Sequence, residues 1–340
     1  MKLIRILLSP LVILNGVFVV IRNILFNLNI LKKNLTDIFS IGVGNLSMGG
    51  SGKSILVDYL ISTNLKSNQI SVISRGYGRK SNGLIIANLN SSADEIGDEP
   101  YQYLTKYPSV KVIVSEKRIT ALEKISELGL KTDLLIFDDI MQHRSILTNH
   151  LIITTTFNNP FFNDYLFPYG NLREFRVEKK RGNTILVTKC PKKLSSEDKI
   201  KFVNRMRIDK NQKVFFSFIK YSKFLKNSFE KINFDTLKNK KITLVTGIAD
   251  PSDLVSFLDS KEINFTHLKF KDHFNFNKKA VSKIINVAKN SIILTTEKDY
   301  GRLFPFLKSS KLYFLPVELS FFSESDEIDF NRRIKSSYSS

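Results

Sequence analysis

The chain has 340 residues, 42% of them hydrophobic and 11% aromatic, enough apolar mass for one large or two modest domains and too much for global disorder. A single cysteine, Cys190, excludes an internal disulfide framework and fits a reducing compartment, while His143, His150, His267 and His273 lack zinc-type spacing. The formal net charge of +20 fits a polyanionic partner or simple solubility, and alone it does not choose among nucleic acid, anionic lipid and a phosphorylated substrate.

The first segment, "MKLIRILLSPLVILNGVFVVIRNILFNLNI", is the most apolar in the chain. Only 16 uncharged residues separate Arg5 from Arg22, slightly short of the ~20 that a spanning helix needs. Lys2 and Arg5 resemble the start of a signal peptide, but no small-x-small cleavage site follows. At about 100° per residue, Arg5, Ser9, Gly16, Asn23 and Asn27 share one stripe, and the other faces are Leu, Ile, Val and Phe. Residues 1–28 are therefore expected to form an amphipathic helix lying in a membrane interface, with a helix packed on its own domain as the plainer reading and a true span as a third.

Apolar runs then alternate with amphipathic ones. "IFSIGVGN", "QISVISRG", "VKVIVSE", "KTDLLIFDD", "HLIITTT" and "NTILVTK" read as strands, several of the buried, continuous kind, and "KSILVDYLISTNL", "EPYQYLTKY" and "RITALEKISEL" read as helices. This alternation predicts a parallel sheet covered by helices over residues 29–212. "KVFFSFIKYSKFL" alternates like an exposed strand pair, so 213–235 is expected to link the two domains. A second, smaller α/β domain is expected over 236–325 and a tail over 326–340.

Behind the first of these strands stands "GNLSMGGSGKS". A phosphate-binding G-x-x-x-x-G-K-[ST] loop would have Gly where Ser47 stands, but Gly52, Lys53 and Ser54 fit, a strand precedes and a helix follows. Glycines let backbone N–H groups curl around phosphate oxygens, and the helix N-terminus adds a positive dipole. Ser47, Met48, Gly49, Gly50, Ser51, Gly52, Lys53 and Ser54 are thus the expected nucleotide cradle. Lys53 would neutralise the β- and γ-phosphates and Ser54 would hold Mg²⁺. The matching acid stands at the end of "DLLIFDD", where Asp138 or Asp139 reaches the metal directly or through water. The fold class is accordingly α/β: a P-loop NTPase-type parallel-sheet domain, a second and smaller α/β domain, and an N-terminal amphipathic membrane helix.

Further stretches narrow the choice: "ISRGYGRK", "GDEP", "SEKRITAL", "DDIMQHR", "FPYGNLRE", "KDHFNF" and "TTEKD", in that order. With "VGNLSMGGSGKS" they closely resemble the tetraacyldisaccharide 4'-kinase family, over nearly the whole chain. The resemblance implies transfer of the ATP γ-phosphate to the 4'-hydroxyl of a tetraacylated glucosamine disaccharide 1-phosphate, a lipid A precursor. The work is expected at the cytoplasmic face of the bacterial inner membrane, by a peripheral or monotopic protein. It implies ATP and Mg²⁺ as cofactors, an anionic membrane surface as partner and no nucleic acid. This chain departs from the usual family pattern at Ile55, Ile140 and Met141, and it has "DHF" for a common "DHH".

The resemblance also implies roles. Asp98 of "GDEP" is the expected base and His273 of "KDHF" its partner from the second domain; both are expected to be catalytic together with Lys53. Arg75, Tyr77, Arg118 and Arg173, with Arg79 beside them, are expected to contact the substrate or the ATP phosphates, because a guanidinium grips phosphate in a fork. Gln142 and His143 either position water or metal ligands or simply pack. The rival reading is a P-loop regulatory NTPase, a GTPase or a metallochaperone-like protein. "VTKC" lacks the Asp of a guanine reader. A nucleic-acid ATPase is disfavoured because aromatic residues do not interleave with the basic runs.

Overall fold

A strand that is apolar on both faces must be covered on both sides, and most strands of this chain are of that kind. The computed structural model describes residues 9–338. Helix α1 (Ser9–Asn27) is followed by β1 (Asn34–Leu35), β2 (Ser40–Asn45), α2 (Lys53–Asn64), β3 (Ile70–Ser74) and β4 (Ile85–Ile86). Then come α3 (Ala93–Ile96), α4 (Asp98–Lys106), β5 (Lys111–Val114), α5 (Arg118–Glu127) and β6 (Leu134–Asp138). Strands β7 (Ile146–Leu147), β8 (His150–Thr156) and β9 (Thr184–Thr188) lead through α6 (Ser196–Met206) to β10 (Lys213–Tyr221). The second body holds β11 (Phe224–Lys226), β12 (Lys231–Asn233), β13 (Ile242–Thr246), α7 (Ser252–Ser260), β14 (Phe265–Lys269), α8 (Lys278–Val287), β15 (Ile292–Thr295), α9 (Glu297–Leu307) and β16 (Leu312–Phe314). β17 (Val317–Phe321) and α10 (Glu324–Lys335) close the chain.

The large sheet runs β17-β10-β9-β8-β2-β6-β3-β5-β4, parallel from β10 to β5 and antiparallel at both edges. One apolar layer joins Val43, Leu56 and Leu60 to Phe330 on one face; on the other, Phe137, Met141 and Ile153 pack with Phe202. The second sheet, β12-β11-β16-β15-β13-β14, has its own two clusters around Leu244 and Val245.

Two boundaries differ from expectation. Residues 213–221 are not linker but β10, paired in parallel with β9 through Lys213↔Thr184 to Phe216↔Val187. The alternating pattern of "KVFFSFIKY" marks a strand near a sheet edge, whose side chains are only partly covered. The other end differs too: β17, inside the range expected for the smaller domain, returns antiparallel to β10 in the large sheet, with Ser217 opposite Phe321, and across the expected tail α10 buries Phe330 and Ile334 against the first core. The chain thus crosses between the bodies twice, near residues 222 and 316.

Helix α1 inverts ordinary amphipathy. Its stripe of small and polar groups faces the protein, where Gly16, Val19 and Asn23 are buried. Ile13 (70% exposed), Leu14, Val17, Phe18 and Ile21 face outward. Arg22 and Asn23 both bond the fully buried Glu174, and Arg144 donates to Asn27 at 2.6 Å. Lys2 and Arg5 lie outside the described residues. Among the described residues no helix is long and apolar enough to cross a membrane.

Candidate active site

The register Val43↔Asp138 places the end of β2 beside the end of β6, so the glycine loop and the acid pair meet at one edge of the sheet. Gly49 and Gly52 adopt φ of 99° and 81°, which L side chains rarely do, and a Cβ on Gly52 would touch Thr188 at 3.0 Å. Ser51 is pinned by Thr154 at 2.8 Å and through its carbonyl by Thr188 at 2.9 Å. Ser47 bridges Leu172, and the Met48 amide donates to Asn171 O at 2.7 Å. Ser47 to Ser51 line a cavity of about 420 Å³. Its other walls include the strand ends Thr154–Thr156, Lys189, and Asp250 and Asp253 of the second body.

Lys53 opens α2, its Nζ 3.1 Å from Asn45 Oδ1 and 3.5 Å from Asp139. Arg173 forks onto both Asp139 oxygens at 2.9 and 2.8 Å and also bonds Asn45. Burial pushes the Asp139 carboxyl up, but the Arg173 bonds and the Lys53 charge outweigh it and hold the group far below its ordinary value. Asp139 itself takes the left-handed backbone, φ 54°, so Ile140 is free of that demand. Ile140 and Met141 fit because β2 has glycines opposite: a Cβ on Gly42 would come 2.8 Å from Ile140, and one on Gly44 2.7 Å from Met141.

Asp138 behaves differently. Tyr103 of α4 donates to it at 3.3 Å, and Ser54 in turn hydrogen-bonds Tyr103. Burial first, then the Asp139 and Glu99 charges, push the Asp138 carboxyl up to about 7. Arg118, expected to touch substrate, is instead only 2% exposed and braces the backbone, donating to Ser115 O at 2.8 Å and Asp138 O at 3.3 Å. Arg173 likewise spends its fork on Asp139. His143 is pushed down to about 4 by burial and by Arg118, and Gln142 donates to Asn45 O at 3.2 Å.

The second cluster joins the two bodies. Gly97, at φ 94°, approaches Gly76 so closely that a Cβ would lie 2.9 Å from Gly76 Cα, which brings the 75–80 loop against the start of α4. There Asp98 Oδ2 meets His273 Nδ1 of the second body at 2.9 Å, with Arg302 Nε 3.6 Å from Oδ1. Burial pushes the Asp98 carboxyl up, but the His273 bond and the charges of Arg302 and Lys298 leave it below its ordinary value. Tyr77, 64% exposed, packs edge-on against the His273 ring at 5.0 Å; Arg75 is exposed, and its charge acts on Arg118 and His143. Arg79 turns away to Glu116 and Gly83. Sequence reasoning passed over Asn45, Tyr103, Lys298 and Arg302. The last two lie in or just after the quoted "TTEKD", but nothing in one chain read alone shows that this helix meets α4.

A model of the family described as tetraacyldisaccharide-1-P 4'-kinase matches residues 4–337. The chain belongs to that family. The tetraacyldisaccharide 4'-kinase of Flavobacterium psychrophilum is 40% identical over 331 residues, which is 97% of this chain and 96% of that protein. That of Flavobacterium johnsoniae is 37% identical over 329 residues, with 97% and 96% covered. Among solved structures, the "apo" form of LpxK from Aquifex aeolicus in complex with ATP is similar at TM-score 0.78 and 28% identity, over 97% of this chain and 99% of that one. Membership in this kinase family leaves the regulatory GTPase and metallochaperone readings without support.

Proposed function

We propose that the protein transfers the γ-phosphate of ATP to the 4'-hydroxyl of a tetraacylated glucosamine disaccharide 1-phosphate, at the cytoplasmic face of the bacterial inner membrane. The observation that carries this is the Asp98–His273 contact of 2.9 Å, made between two bodies in a chain whose other sheet edge is built as a phosphate loop. ATP phosphates would lie along Ser47–Ser54, with Lys53 leaving Asp139 to neutralise them, and the nucleoside would enter the cavity toward Lys189 and Asp250. Asp98 would take the hydroxyl proton as the new O–P bond forms and the bond to the β-phosphate oxygen breaks.

Mg²⁺ fits the donor set, because Ser54 and Asp138 offer hard oxygens and Asp139 is occupied by Arg173. The raised Asp138 carboxyl is the mark of a buried acid that a cation would hold ionised. Such an ion would complete its shell with water and phosphate oxygens. When bound it would offset charge on the β- and γ-phosphates.

Tyr77, packed against His273, and the exposed Arg75, whose charge acts on Arg118 and His143, would face the sugar or its 1-phosphate. Arg118 and Arg173 would act one step back, by holding Asp138 and Asp139. The outward apolar face of α1, supplemented by basic surface, would seat the protein on an anionic bilayer that keeps four acyl chains in place. The test is transfer of label from γ-labelled ATP to the disaccharide 1-phosphate in mixed micelles. A labelled bisphosphorylated glycolipid is expected. Acceptor-independent release of phosphate, or stimulation by nucleic acid instead, would overturn the proposal.

A further inference from the structure

We infer that the loop 164–171 is a second lipid-facing element, an aromatic finger that enters the headgroup layer of an anionic bilayer beside α1. The inference rests on the reading of α1 as the bilayer-facing helix, and it adds a contact that the helix does not contain. Side chains alternate along the loop: Leu166 is buried, while Tyr165, Phe167 and Tyr169 are 58%, 50% and 44% exposed. Aromatic rings left half in water on a loop gain by sitting at the level of lipid headgroups, where one end of the ring is in an apolar layer and the other is wet.

The loop that presents these rings is closed on itself. Asp164 Oδ1 accepts from the Tyr165 and Asn171 amides at 2.8 and 3.1 Å, and the Gly170 amide donates to Leu166 O at 2.9 Å. A Cβ on Gly170 would lie 2.1 Å from Tyr165 O, so glycine is what lets the turn close this tightly. Tyr169 meets the Tyr165 ring edge-on at 5.4 Å, and the Arg176 guanidinium covers that ring at 5.2 Å. Rings ordered in advance lose little freedom on entering lipid.

Position and charge decide the occupant. Asn15 of α1 donates to Phe167 O at 3.0 Å, and an apolar groove of about 400 Å³ lies between Val17 and Ile21 on the helix and Leu166 and Phe175 across from it. The finger therefore continues the outward apolar face of α1. Glu174 and Glu178 are buried, facing Arg22 and Arg144, and Asp164 is engaged with backbone amides, while Arg176, Val177 and Lys180 are exposed. An apolar edge flanked by cations suits anionic lipid. A second copy of this chain, itself at +20, would bring like charge to the same place. The stem leads straight to the nucleotide site: Asn171 O accepts from the Met48 amide at 2.7 Å, and the Arg173 amide donates to Leu46 O at 2.7 Å. Seating the finger thus sets the height of the phosphate loop over the lipid plane.

The sequence has no tryptophan, so Phe167→Trp places the chain's one indole on the finger. The full chain is mixed with vesicles of phosphatidylethanolamine and phosphatidylglycerol, without acceptor. The indole emission should move to shorter wavelength, be quenched by lipids brominated along their acyl chains, and lose most of its quenching by acrylamide. In a second arm, Phe167→Asp should weaken vesicle binding about tenfold and raise KM for acceptor presented in the same vesicles by a similar factor. Its kcat and its KM for ATP should stay at the wild-type values, which also shows that the variant is folded.

Vesicle binding by Phe167→Trp with an indole that stays open to acrylamide would overturn the inference alone and leave α1 on the bilayer. Wild-type vesicle affinity in Phe167→Asp would do the same. So would a shift in emission that grows with protein concentration in the absence of lipid, since the finger would then meet a second copy of the chain. Wild-type protein that does not bind these vesicles at all is a different result, which would remove the bilayer reading of α1 and this inference with it.

Discussion

Replacing Asp138 by Asn should stabilise the ligand-free protein and at the same time abolish transfer. The residue is 5% exposed, and burial together with the Asp139 and Glu99 charges pushes its carboxyl from 3.8 up to about 7. A folded value above the unfolded one means that the fold disfavours the ionised form. The penalty is absent below about pH 4, grows between about 4 and 7, and is complete above 7. At about 1.4 kcal/mol per pH unit the gap sets a ceiling near 4 kcal/mol, and relaxation of the site brings a working figure to about 2 kcal/mol. Asparagine keeps the volume and an acceptor for Tyr103, so little else is lost.

Thermal melts should therefore place the variant a few degrees above the wild type at pH 8, with less than half that margin at pH 5. Mg²⁺ with a non-hydrolysable ATP analogue should reverse the order at pH 8, because only the carboxylate gains from the cation. A variant no more stable than the wild type at pH 8, or a margin that ignores pH, would refute the buried-acid argument.

Lys53→Ala should lower transfer by about 10²-fold or more, and a rate within a fewfold of wild type would remove the phosphate-loop assignment. Asp98→Ala and His273→Ala should each cost about 10²–10⁴ in kcat, with the double variant little worse than Asp98→Ala; multiplicative losses would mean independent roles. Ile13→Asp with Phe18→Asp, both on the outward face of α1, should raise KM for the acylated acceptor and weaken vesicle binding without lowering the melting temperature. Unchanged vesicle binding would show that this face does not meet lipid.

The parts that local pattern determines were legible in the sequence. The β2–loop–α2 unit, the "DLLIFDD" strand and the inverted stripe of α1 each follow from residues a few positions apart. The parts that depend on sheet register were not. "KVFFSFIKY" differs from a linker because its first half pairs with β9 and because Phe321 returns to lie opposite Ser217, a hundred residues later in the chain. Arg118 and Arg173 look alike as exposed phosphate readers until the fold buries one under β6 and turns the other onto Asp139. The tolerance of Ile140 and Met141 becomes visible only once β2 is known to lie beside β6, with Gly42 and Gly44 as the spaces they fill.

The geometry between Asp98 and His273 is set by how closely α4 and α9 approach, and two kinds of residue govern that. Gly301 leaves room for the Tyr101 ring: a Cβ there would come within 3.1 Å of it, so with any larger residue the ring or its helix must give by a few tenths of an ångström. Lys298 and Glu99 then pull across the same gap at 2.9 Å. A hydrogen bond between donor and carboxylate weakens steeply with such displacements, so the interface packing and the acid–base pair are one arrangement. The two chain crossings continue directly into β10 and β17, the last two strands at one edge of the large sheet, which ties the second body to the sheet that carries the phosphate loop. His273 therefore reaches Asp98 through a rigid sheet on one side and a glycine-spaced helix pair on the other.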